Sequence, residues 1–467
     1  MNSPWISPAT SLVLAAVGVA AFHVAYEFEA AAPAIVVYLA CLFRLAWVRS
    51  PRWAFYLGLA IGTALATGQL WFFHEVFGWA AAGLWAILGL WIGFFLLLSR
   101  IVVARWPRYG ALWLPVIWLA LEYTRGELYP LRFAWLTPGF ALSHPAMVPL
   151  ASAGMYGFSF FVLSTLALAH TAVKRRATIA VAALIPSLLL VPGGAAPELG
   201  PLVVGIQLEG PREDEVLAAL DRALADEPGL DLVVLGEYCF DGAVPQSTRD
   251  WCARHEKHLI AGGKEFLAGS DQFYDMAFVI SPTGEIVFSQ AKAVPIQFFN
   301  DGLPAQEQRV WKSPWGNIGI AICYDLGYAR VIDRLVEQGA QALIIPTMDA
   351  EDWGEHEHRL HARVAPVRAR EYGIPIFRLA SSGISQFVDR DGRVIAAAPF
   401  PGQGERLIGS LAFSGPGKLP IDRYVALPAV VVVAMLIGYL ALFRLRAFAG
   451  TRFGAKPSPG TNFATNA

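Results

Sequence analysis

The chain has 467 residues, of which 55% are hydrophobic and only 16% are charged. Soluble domains carry about 25% charged residues, so this composition argues against a soluble protein and indicates a membrane protein. The net charge of −1 provides no overall positive field, and no nucleic-acid partner is predicted. The four cysteines do not make a disulfide framework, although a bridge between Cys239 and Cys252 stays open in an oxidising compartment.

Eight apolar runs are long enough to cross a bilayer. They lie near residues 11–28, 33–49, 53–73, 77–99, 110–124, 147–170, 177–194 and 424–444. The first is predicted to be a retained helix, because no basic residues precede it and no clear cleavage site follows it. The sequence therefore predicts a seven-helix transmembrane domain (1–195), a globular domain (199–416), a C-terminal transmembrane helix (424–444) and a tail (445–467).

Basic residues cluster after the second, fourth, sixth and eighth predicted spans. The clusters are Arg44, Arg49 and Arg52; Arg100, Arg105 and Arg108; Lys174, Arg175 and Arg176; and Arg444, Arg446, Arg452 and Lys456. The loops on the other side carry no Lys or Arg, except Arg125 and Arg132 in the loop near 125–146. Since basic loops stay in the cytoplasm, both termini are predicted to be cytoplasmic and residues 199–416 extracytoplasmic.

The loop near 125–146 combines aromatic residues, Pro, Gly and two arginines beside the membrane. Tyr129 and Trp135 are typical of an interfacial aromatic belt. The same loop also suits the wall of a lipid-headgroup site, in which Arg125 or Arg132 meets a phosphate. The residues alone leave both interpretations open.

Residues 199–416 alternate strands with helices, and antiparallel hairpins are interleaved. Helical spacing occurs over 212–225, 248–257, 328–338 and 356–372. Strand patterns occur over 201–207, 231–235, 258–262, 275–280, 286–291, 318–323, 342–346, 376–379, 385–389 and 394–397. This order predicts an α/β domain with a mixed sheet and helices outside it.

Three chemically reactive residues each close a predicted strand: Glu237, Lys292 and Cys323. Taken singly, the first two are surface charges at strand exits and Cys323 is a packed thiol. Together they form a complete set for covalent catalysis. Glu237 takes the thiol proton, Cys323 attacks a carbonyl group, and Lys292 stabilises the oxyanion that develops.

Several motifs extend this pattern. They are Gly236-Glu237, Tyr274-Asp-Met-Ala277 with Ser281-Pro-Thr-Gly284, Lys292, Cys323-Tyr-Asp325, and Arg378-Leu-Ala-Ser-Ser-Gly383 with Asp389-Arg-Asp-Gly392. In this order they resemble the nitrilase, or carbon–nitrogen hydrolase, superfamily. The resemblance implies that residues 199–416 form an α-β-β-α sandwich.

The membrane part selects one branch of that superfamily. Seven predicted helices before the domain and one after it resemble the plan of the apolipoprotein N-acyltransferase family. Six further segments also resemble that family: Glu122–Arg125, Phe133–Trp135, Pro138–Phe140, Ala153–Ser159, Asp349-Ala350 and Arg368–Glu371.

The resemblance implies a two-step reaction in the bacterial inner membrane. Cys323, with Glu237 as base and Lys292 as oxyanion stabiliser, takes an acyl chain from a phospholipid as a thioester. The N-terminal amine of a diacylglyceryl-cysteine lipoprotein then accepts this chain. No cofactor or metal is implied, and we expect a monomer.

The substrate-binding residues suggested by position and resemblance are Tyr324, Asp325, Arg125, Trp135 and Asp301. The family usually has a Glu shortly after its lysine, in a Val-Pro-Phe-Gly-Glu pattern. This chain reads Val294-Pro-Ile-Gln-Phe-Phe-Asn-Asp301, so Asp301 is the nearest acid, at a different spacing.

Other interpretations remain. Lys264 is a rival for the lysine role, although pairing with Glu265 or solvent is favoured for it. His356, His358 and His361 do not form a His-Glu-x-x-His motif and are predicted to be the solvated start of a helix. The alternative functions are a membrane-tethered amidase or nitrilase, an acyltransferase with another amine acceptor, and a catalytically inactive lipid-binding protein.

Overall fold

The computed structural model of the chain describes residues 5–143, 150–171 and 198–453. The predicted seventh span, residues 177–194, lies outside the described residues. So do the His144-Pro145 end of the aromatic loop and residues 454–467 of the predicted tail.

The N-terminal part is a set of helices. They are α1 (Pro8–Glu27), α2 (Ala34–Leu45), α3 (Pro51–Gln69), α4 (Phe72–Phe77), α5 (Ala81–Arg105), α6 (Leu114–Tyr123), α7 (Leu150–Ala153) and α8 (Met155–His170). Two of these helices begin in the same way, since Ser7 and Ser50 each precede a proline at the first helical position. Their hydroxyl groups accept backbone N–H groups of the first turn, which would otherwise lack partners.

Small residues bring α3 and α5 into close contact. A Cβ atom on Gly58 would lie 2.6 Å from the carbonyl oxygen of Ile92, and one on Gly62 would lie 2.7 Å from Cα of Gly89. Gly58–Gly62 and Gly89–Gly93 both have the four-residue spacing that lets membrane helices approach closely. The contact holds α5 in place, and α5 lines the cavity described below.

The second part is a sandwich of two six-stranded sheets. The strands are β1 (Glu198–Ile206), β2 (Leu232–Leu235), β3 (His258–Phe266), β4 (Phe273–Ile280), β5 (Ile286–Ala291), β6 (Val310–Ser313), β7 (Gly316–Ile320), β8 (Ala342–Thr347), β9 (Ile376–Ala380), β10 (Ser385–Val388), β11 (Val394–Ala398) and β12 (Arg406–Phe413). The sheet orders are β12-β1-β2-β3-β4-β5 and β11-β10-β9-β8-β7-β6. The central strands β1, β2 and β3 are parallel, as are β7, β8 and β9.

Helices accompany both sheets, and one more leads back towards the membrane part. They are α9 (Glu213–Asp226), α10 (Gln246–His255), α11 (Ala329–Glu337), α12 (Glu355–Ala362), α13 (Val364–Tyr372) and α14 (Asp422–Phe453). In β1, Val204 and Ile206 pack with the helix layer, whereas Val203 joins the core between the sheets. Strands covered on both faces read as continuous apolar runs, and β2 is buried throughout. The predicted α-β-β-α sandwich is therefore found.

Three features differ from the sequence prediction. The strands β6 and β12 were missed, because β12 alternates Gly and polar residues with apolar ones and β6 has only four residues. The predicted helix over 356–372 is two helices, since Pro366 lacks the N–H group that would continue the hydrogen-bond ladder. The strand before Cys323 ends at Ile320, so the cysteine lies in the following turn.

Three stretches are long and apolar enough to cross a membrane: Pro8–Glu27, Phe72–Arg105 and Asp422–Phe443. The apolar helices α2 and α8 are shorter, at 12 and 16 residues. In the described part of the chain, helices occupy most of each predicted span. The count of eight spans, their orientation and the domain limits remain predictions.

A buried ionic network joins α14 to the sandwich. The guanidinium of Arg423 contacts Asp333 of α11 at 2.9 Å, Glu371 of α13 at 2.8 Å and the neighbouring Asp422 at 2.7 Å. The carboxylate of Asp422 also accepts backbone N–H groups from the second and third residues of α8, at 3.0 and 3.2 Å. One arginine thus connects the membrane-type helices to the second sheet's helices.

Candidate active site

Cys323 lies in a sharp turn after β7. It begins a short 3₁₀ segment, Cys323–Gly327, and its φ of +51° is in the left-handed region. This conformation costs about 1–2 kcal/mol for a residue with a side chain, so neighbouring contacts must hold it. The carboxylate of Asp325 supplies one such contact by accepting the N–H of Ile322 at 3.2 Å. The thiol is buried, with Sγ 3.7 Å from the carbonyl oxygen of Met348.

Lys292 follows β5 and is fully buried. Its Nζ lies 2.6 Å from Glu237, 2.7 Å from Asp301 and 3.5 Å from Asp275. A buried ammonium is tolerable only when paired, and here three carboxyl groups surround it. The structure therefore brings the predicted lysine and glutamate into direct contact.

One ammonium among three carboxyl groups leaves an excess of negative charge, which favours keeping one of the acids neutral. Burial lowers the pKa of Lys292, but the carboxylates of Glu237 and Asp301 outweigh burial and raise it well above its ordinary value. Burial, together with the charge of Glu237, raises the pKa of Asp275 far above that of a free carboxyl group. Asp275 is thus a protonated acid beside an ammonium and two carboxylates. Asp275 belongs to the Tyr274-Asp-Met-Ala277 motif, but nothing in the sequence pattern predicted that its side chain reaches Lys292.

Glu237 and Cys323 meet at the same backbone segment. One oxygen of Glu237 bonds Lys292, and the other accepts the N–H of Met348 at 2.6 Å, while the carbonyl of Met348 faces Sγ. At Gly262 in the neighbouring strand, a Cβ atom would lie 2.5 Å from Cα of Glu237, so only glycine allows this approach. Burial, then the negative charge of Glu237, raises the pKa of the Cys323 thiol well above its usual range. The resting thiol is therefore protonated and needs a base during reaction.

Asp301 is part of the cluster despite its spacing along the chain. Its Oδ2 lies 2.7 Å from Lys292 Nζ and accepts the N–H of Ile296 at 2.6 Å. Its Oδ1 accepts the hydroxyl of Tyr238 at 2.7 Å. The loop after β5 folds back on itself, which brings residue 301 beside residue 292.

Asp325 holds two segments of the site together. Its carboxylate accepts the N–H groups of Ala293, at 3.0 Å, and Val294, at 2.8 Å, in addition to that of Ile322. Burial raises its pKa to about 6, although these N–H groups oppose the shift. Because backbone groups occupy both oxygens, Asp325 fixes the lysine segment against the cysteine turn. Its predicted contact with substrate remains untested.

An apolar cavity opens beside the nucleophile. Its volume is about 810 Å³ when the space open to solvent is counted, within the usual range for ligand pockets. It lies between α4, α5, the aromatic loop and the segment after Lys292. Lining residues include Phe73, Phe77, Leu88, Phe133, Phe298 and Tyr324. Tyr324 follows Cys323 directly, so the cavity wall includes the residue next to the nucleophile.

The loop residues proposed from sequence have different surroundings. Trp135 lines the apolar cavity, as does Arg132, whose carbonyl oxygen accepts the hydroxyl of Tyr324 at 3.3 Å. Arg125 instead donates to the hydroxyl of Thr137 at 3.1 Å. It lines a separate cavity of about 480 Å³ among the helices. A lipid-binding role for Arg125 remains a prediction.

A second polar cluster lies on the other side of Cys323. Asp349 Oδ1 is 2.8 Å from Nδ1 of His361, and its Oδ2 is 2.6 Å from the guanidinium of Arg378. Burial raises the pKa of Asp349, but Arg378 and then His361 outweigh it and bring the pKa well below the ordinary value. His358 is also fully buried, so the predicted solvated helix start is wrong for His358 and His361.

The ligand-type atoms of Cys323, Asp349 and His361 lie within 4.8 Å of one another, as do those of Asp349, Glu357 and His358. Asp349 already neutralises a guanidinium, which a metal ion would have to displace. The absence of a metal from the reaction stays a prediction. Lys264, the rival lysine, lies at the surface against Asp241 and is not part of either cluster.

The carbon–nitrogen hydrolase family matches residues 212–409, and the fold of this part is a nitrilase-like α/β sandwich. The apolipoprotein N-acyltransferase N-terminal domain matches residues 14–168, so the helical part has its own relatives. Both matches, together with relatives of similar length, support the apolipoprotein N-acyltransferase family for this chain.

Individual relatives are similar over most of the chain. The apolipoprotein N-acyltransferase of Geobacter metallireducens is 24% identical over 417 residues, which cover 75% of this chain and 80% of that protein. That of Azotobacter vinelandii is 26% identical and covers 85% of this chain and 88% of its own length. Among solved structures, Saccharomyces cerevisiae Nit3, a member of branch 10 of the nitrilase superfamily, is 20% identical. The alignment covers 46% of this chain and 91% of the Nit3 chain, with a TM-score of 0.40.

Proposed function

We propose that this protein N-acylates lipoproteins. It takes an acyl chain from a phospholipid as a thioester on Cys323 and transfers it to the N-terminal amine of a diacylglyceryl-cysteine. One observation carries the proposal: a buried thiol, carboxylate and ammonium adjoin a large apolar cavity between membrane-type helices and a catalytic sandwich. A soluble amide substrate has no need of such a cavity, whereas an acyl chain does.

In the first half-reaction, Glu237 removes the proton from Cys323 and the thiolate attacks the ester carbonyl carbon. Lys292 stabilises the oxyanion, since its ammonium is already held in a water-free site. The C–O bond of the ester then breaks. The leaving lysophospholipid alkoxide takes the proton from Glu237, which leaves an acyl-cysteine.

In the second half-reaction, the amine of the acceptor attacks the thioester. The N–C bond forms, the C–S bond breaks with its electron pair on the sulfur of Cys323, and Glu237 passes a proton from the nitrogen to that sulfur. Covalent catalysis of this kind needs no cofactor. The apolar cavity holds the acyl chain throughout, so water has limited access to the thioester.

The Cys323→Ala variant tests this mechanism. We expect wild-type protein incubated with phospholipid to gain the mass of one acyl chain on Cys323, and the variant to gain none. Transfer to a diacylated lipopeptide should fall by about 10⁴-fold or more, because the covalent route is lost. Intact-protein mass spectrometry and lipopeptide mass spectrometry measure the two steps. Acylated lipopeptide from the variant would exclude the mechanism, and rapid fatty-acid release by wild type would favour a hydrolase.

The proposed location is the bacterial inner membrane, with the sandwich on the extracytoplasmic face and both termini in the cytoplasm. Ser270 in the exposed turn between β3 and β4 allows a test, because all four native cysteines are buried. A Ser270→Cys variant should react with a membrane-impermeant maleimide in intact spheroplasts. Labelling that occurs only after lysis would place the sandwich in the cytoplasm and contradict the proposed orientation.

A further inference from the structure

The second polar cluster has no assigned part in the two half-reactions. One carboxylate oxygen of Asp349, one ring nitrogen of His361 and Sγ of Cys323 all lie within 4.8 Å of one another. These are distances at which a group bound to the sulfur contacts the imidazole. The cluster therefore lies beside the position that the thioester carbonyl would occupy.

The imidazole of His361 is held in one orientation. Its Nδ1 lies 2.8 Å from Asp349, and its ring stacks on Trp135 with centroids 4.6 Å apart at an angle of 24°. Its Nε2 is buried and has no hydrogen-bond partner among the residues that the structure describes. A buried nitrogen without a partner is costly, so an unused acceptor on a ring that lies beside the nucleophile indicates a ligand or a reacting proton. Asp349 fixes the ring as the carboxylate does in other base–carboxylate pairs.

The acceptor brings a proton problem that the acyl donor does not have. An α-amino group has a pKa near 7.7–8.0, so at neutral pH it arrives mostly as an ammonium, which has no lone pair for attack. Two protons must leave this nitrogen before the amide is formed. Glu237 can return one to the sulfur of Cys323, and the other needs a second acceptor.

We propose that His361 is this second base: it takes one proton from the ammonium of the acceptor, after which the free amine attacks the acyl-cysteine. The N–C bond forms and the C–S bond breaks. The second proton passes through Glu237 to the sulfur and restores the thiol of Cys323. Asp349 is a positioning residue that stabilises the imidazolium. This inference rests on the proposed function and assigns a step within it.

Other charged groups also face this imidazole. Glu357 lines the apolar cavity, and its Oε1 lies 3.9 Å from Nδ1 of His361. Beyond Asp349 are Arg378 and His358. The two carboxylates stabilise the imidazolium, and the guanidinium opposes it. The site can therefore hold the transferred proton near the place where the amine becomes neutral.

The test separates the two half-reactions in His361→Asn and His361→Gln variants. Asparagine keeps a donor for Asp349 but removes Nε2. We expect the mass gain on Cys323 to form as in wild type, while discharge by a diacylated lipopeptide slows by about 100-fold at pH 7. Discharge by hydroxylamine, which is largely uncharged at this pH, should be unchanged. The deficit with lipopeptide should shrink as the pH rises towards 9, where the amine deprotonates by itself.

A matched control is His356→Gln on the same helix, whose ring contacts the carbonyl of Gln69 outside the cluster. Lipopeptide transfer at the wild-type rate in both His361 variants would overturn the inference. So would an equal loss with hydroxylamine and lipopeptide, or a deficit independent of pH, because each indicates a structural role. If wild type itself formed no acyl-cysteine, the proposed function would fail instead, and with it this assignment.

Discussion

Replacing Lys292 with methionine is expected to abolish acyl-cysteine formation and to destabilise the sandwich. Methionine fills similar volume but leaves Glu237 and Asp301 without their cation. Removing one partner of a buried ion pair typically costs about 3–5 kcal/mol in unfolding free energy. Loss of oxyanion stabilisation should lower the acylation rate by about 10²–10³-fold on its own. Mass spectrometry measures the rate of acylation, and thermal unfolding in detergent measures the change in stability.

The matched control is Lys264→Met. Lys264 is partly exposed and pairs with an exposed carboxylate, that of Asp241, so its loss should change stability by less than about 1 kcal/mol. Acylation of Lys292→Met within tenfold of wild type would show that the ammonium does not act on the oxyanion. An unchanged unfolding temperature would show that the carboxylates find other partners.

Replacing Arg423 with methionine is expected to loosen the sandwich from the helices without changing the site directly. The substitution leaves two buried carboxylates, Glu371 and Asp422, and the partly exposed Asp333 with reduced or no compensation. The expected cost is again about 3–5 kcal/mol. Thermal unfolding in detergent measures this loss of stability. Limited proteolysis measures the loosening, because cleavage between β12 and α14 should become faster.

Arg406→Met serves as its control, because Arg406 pairs with Asp226 at a largely exposed site. Exposed pairs contribute about 0–1 kcal/mol, so this variant should unfold at nearly the wild-type temperature. If both variants behaved alike, the buried network would not hold the two parts together.

Much of the sandwich could be predicted from the sequence because its strands have simple environments. A strand covered on both faces is an apolar run with polar residues only at its ends, as β2 and β8 show. The positions of Glu237 and Lys292 followed from this regularity. Chemical complementarity then indicated that they meet Cys323, although only the structure gives their contacts with Met348.

The rest of the site depends on loops and on burial, which local patterns do not encode. Asp301 reaches Lys292 because the eight residues of irregular chain between them turn back, and no periodic signal describes such a path. His358 and His361 belong to a segment so polar that solvent exposure was the natural prediction. They are buried because carboxylates pair with their rings: Glu357 with His358, and Asp349, from outside the helix, with His361.

The segment after Lys292 couples two tasks through one short stretch of backbone. Asp301 at its end contacts the ammonium, while Ile296, Phe298 and Phe299 in its middle line the apolar cavity. The N–H of Ile296 is itself bonded to Asp301, so the cavity wall and the lysine's counter-ion share a hydrogen bond. A ligand that moves the two phenylalanines would therefore also disturb the hydrogen bond that holds Asp301 beside Lys292. Occupation of the cavity and the position of this counter-ion are consequently coupled through the backbone of one loop.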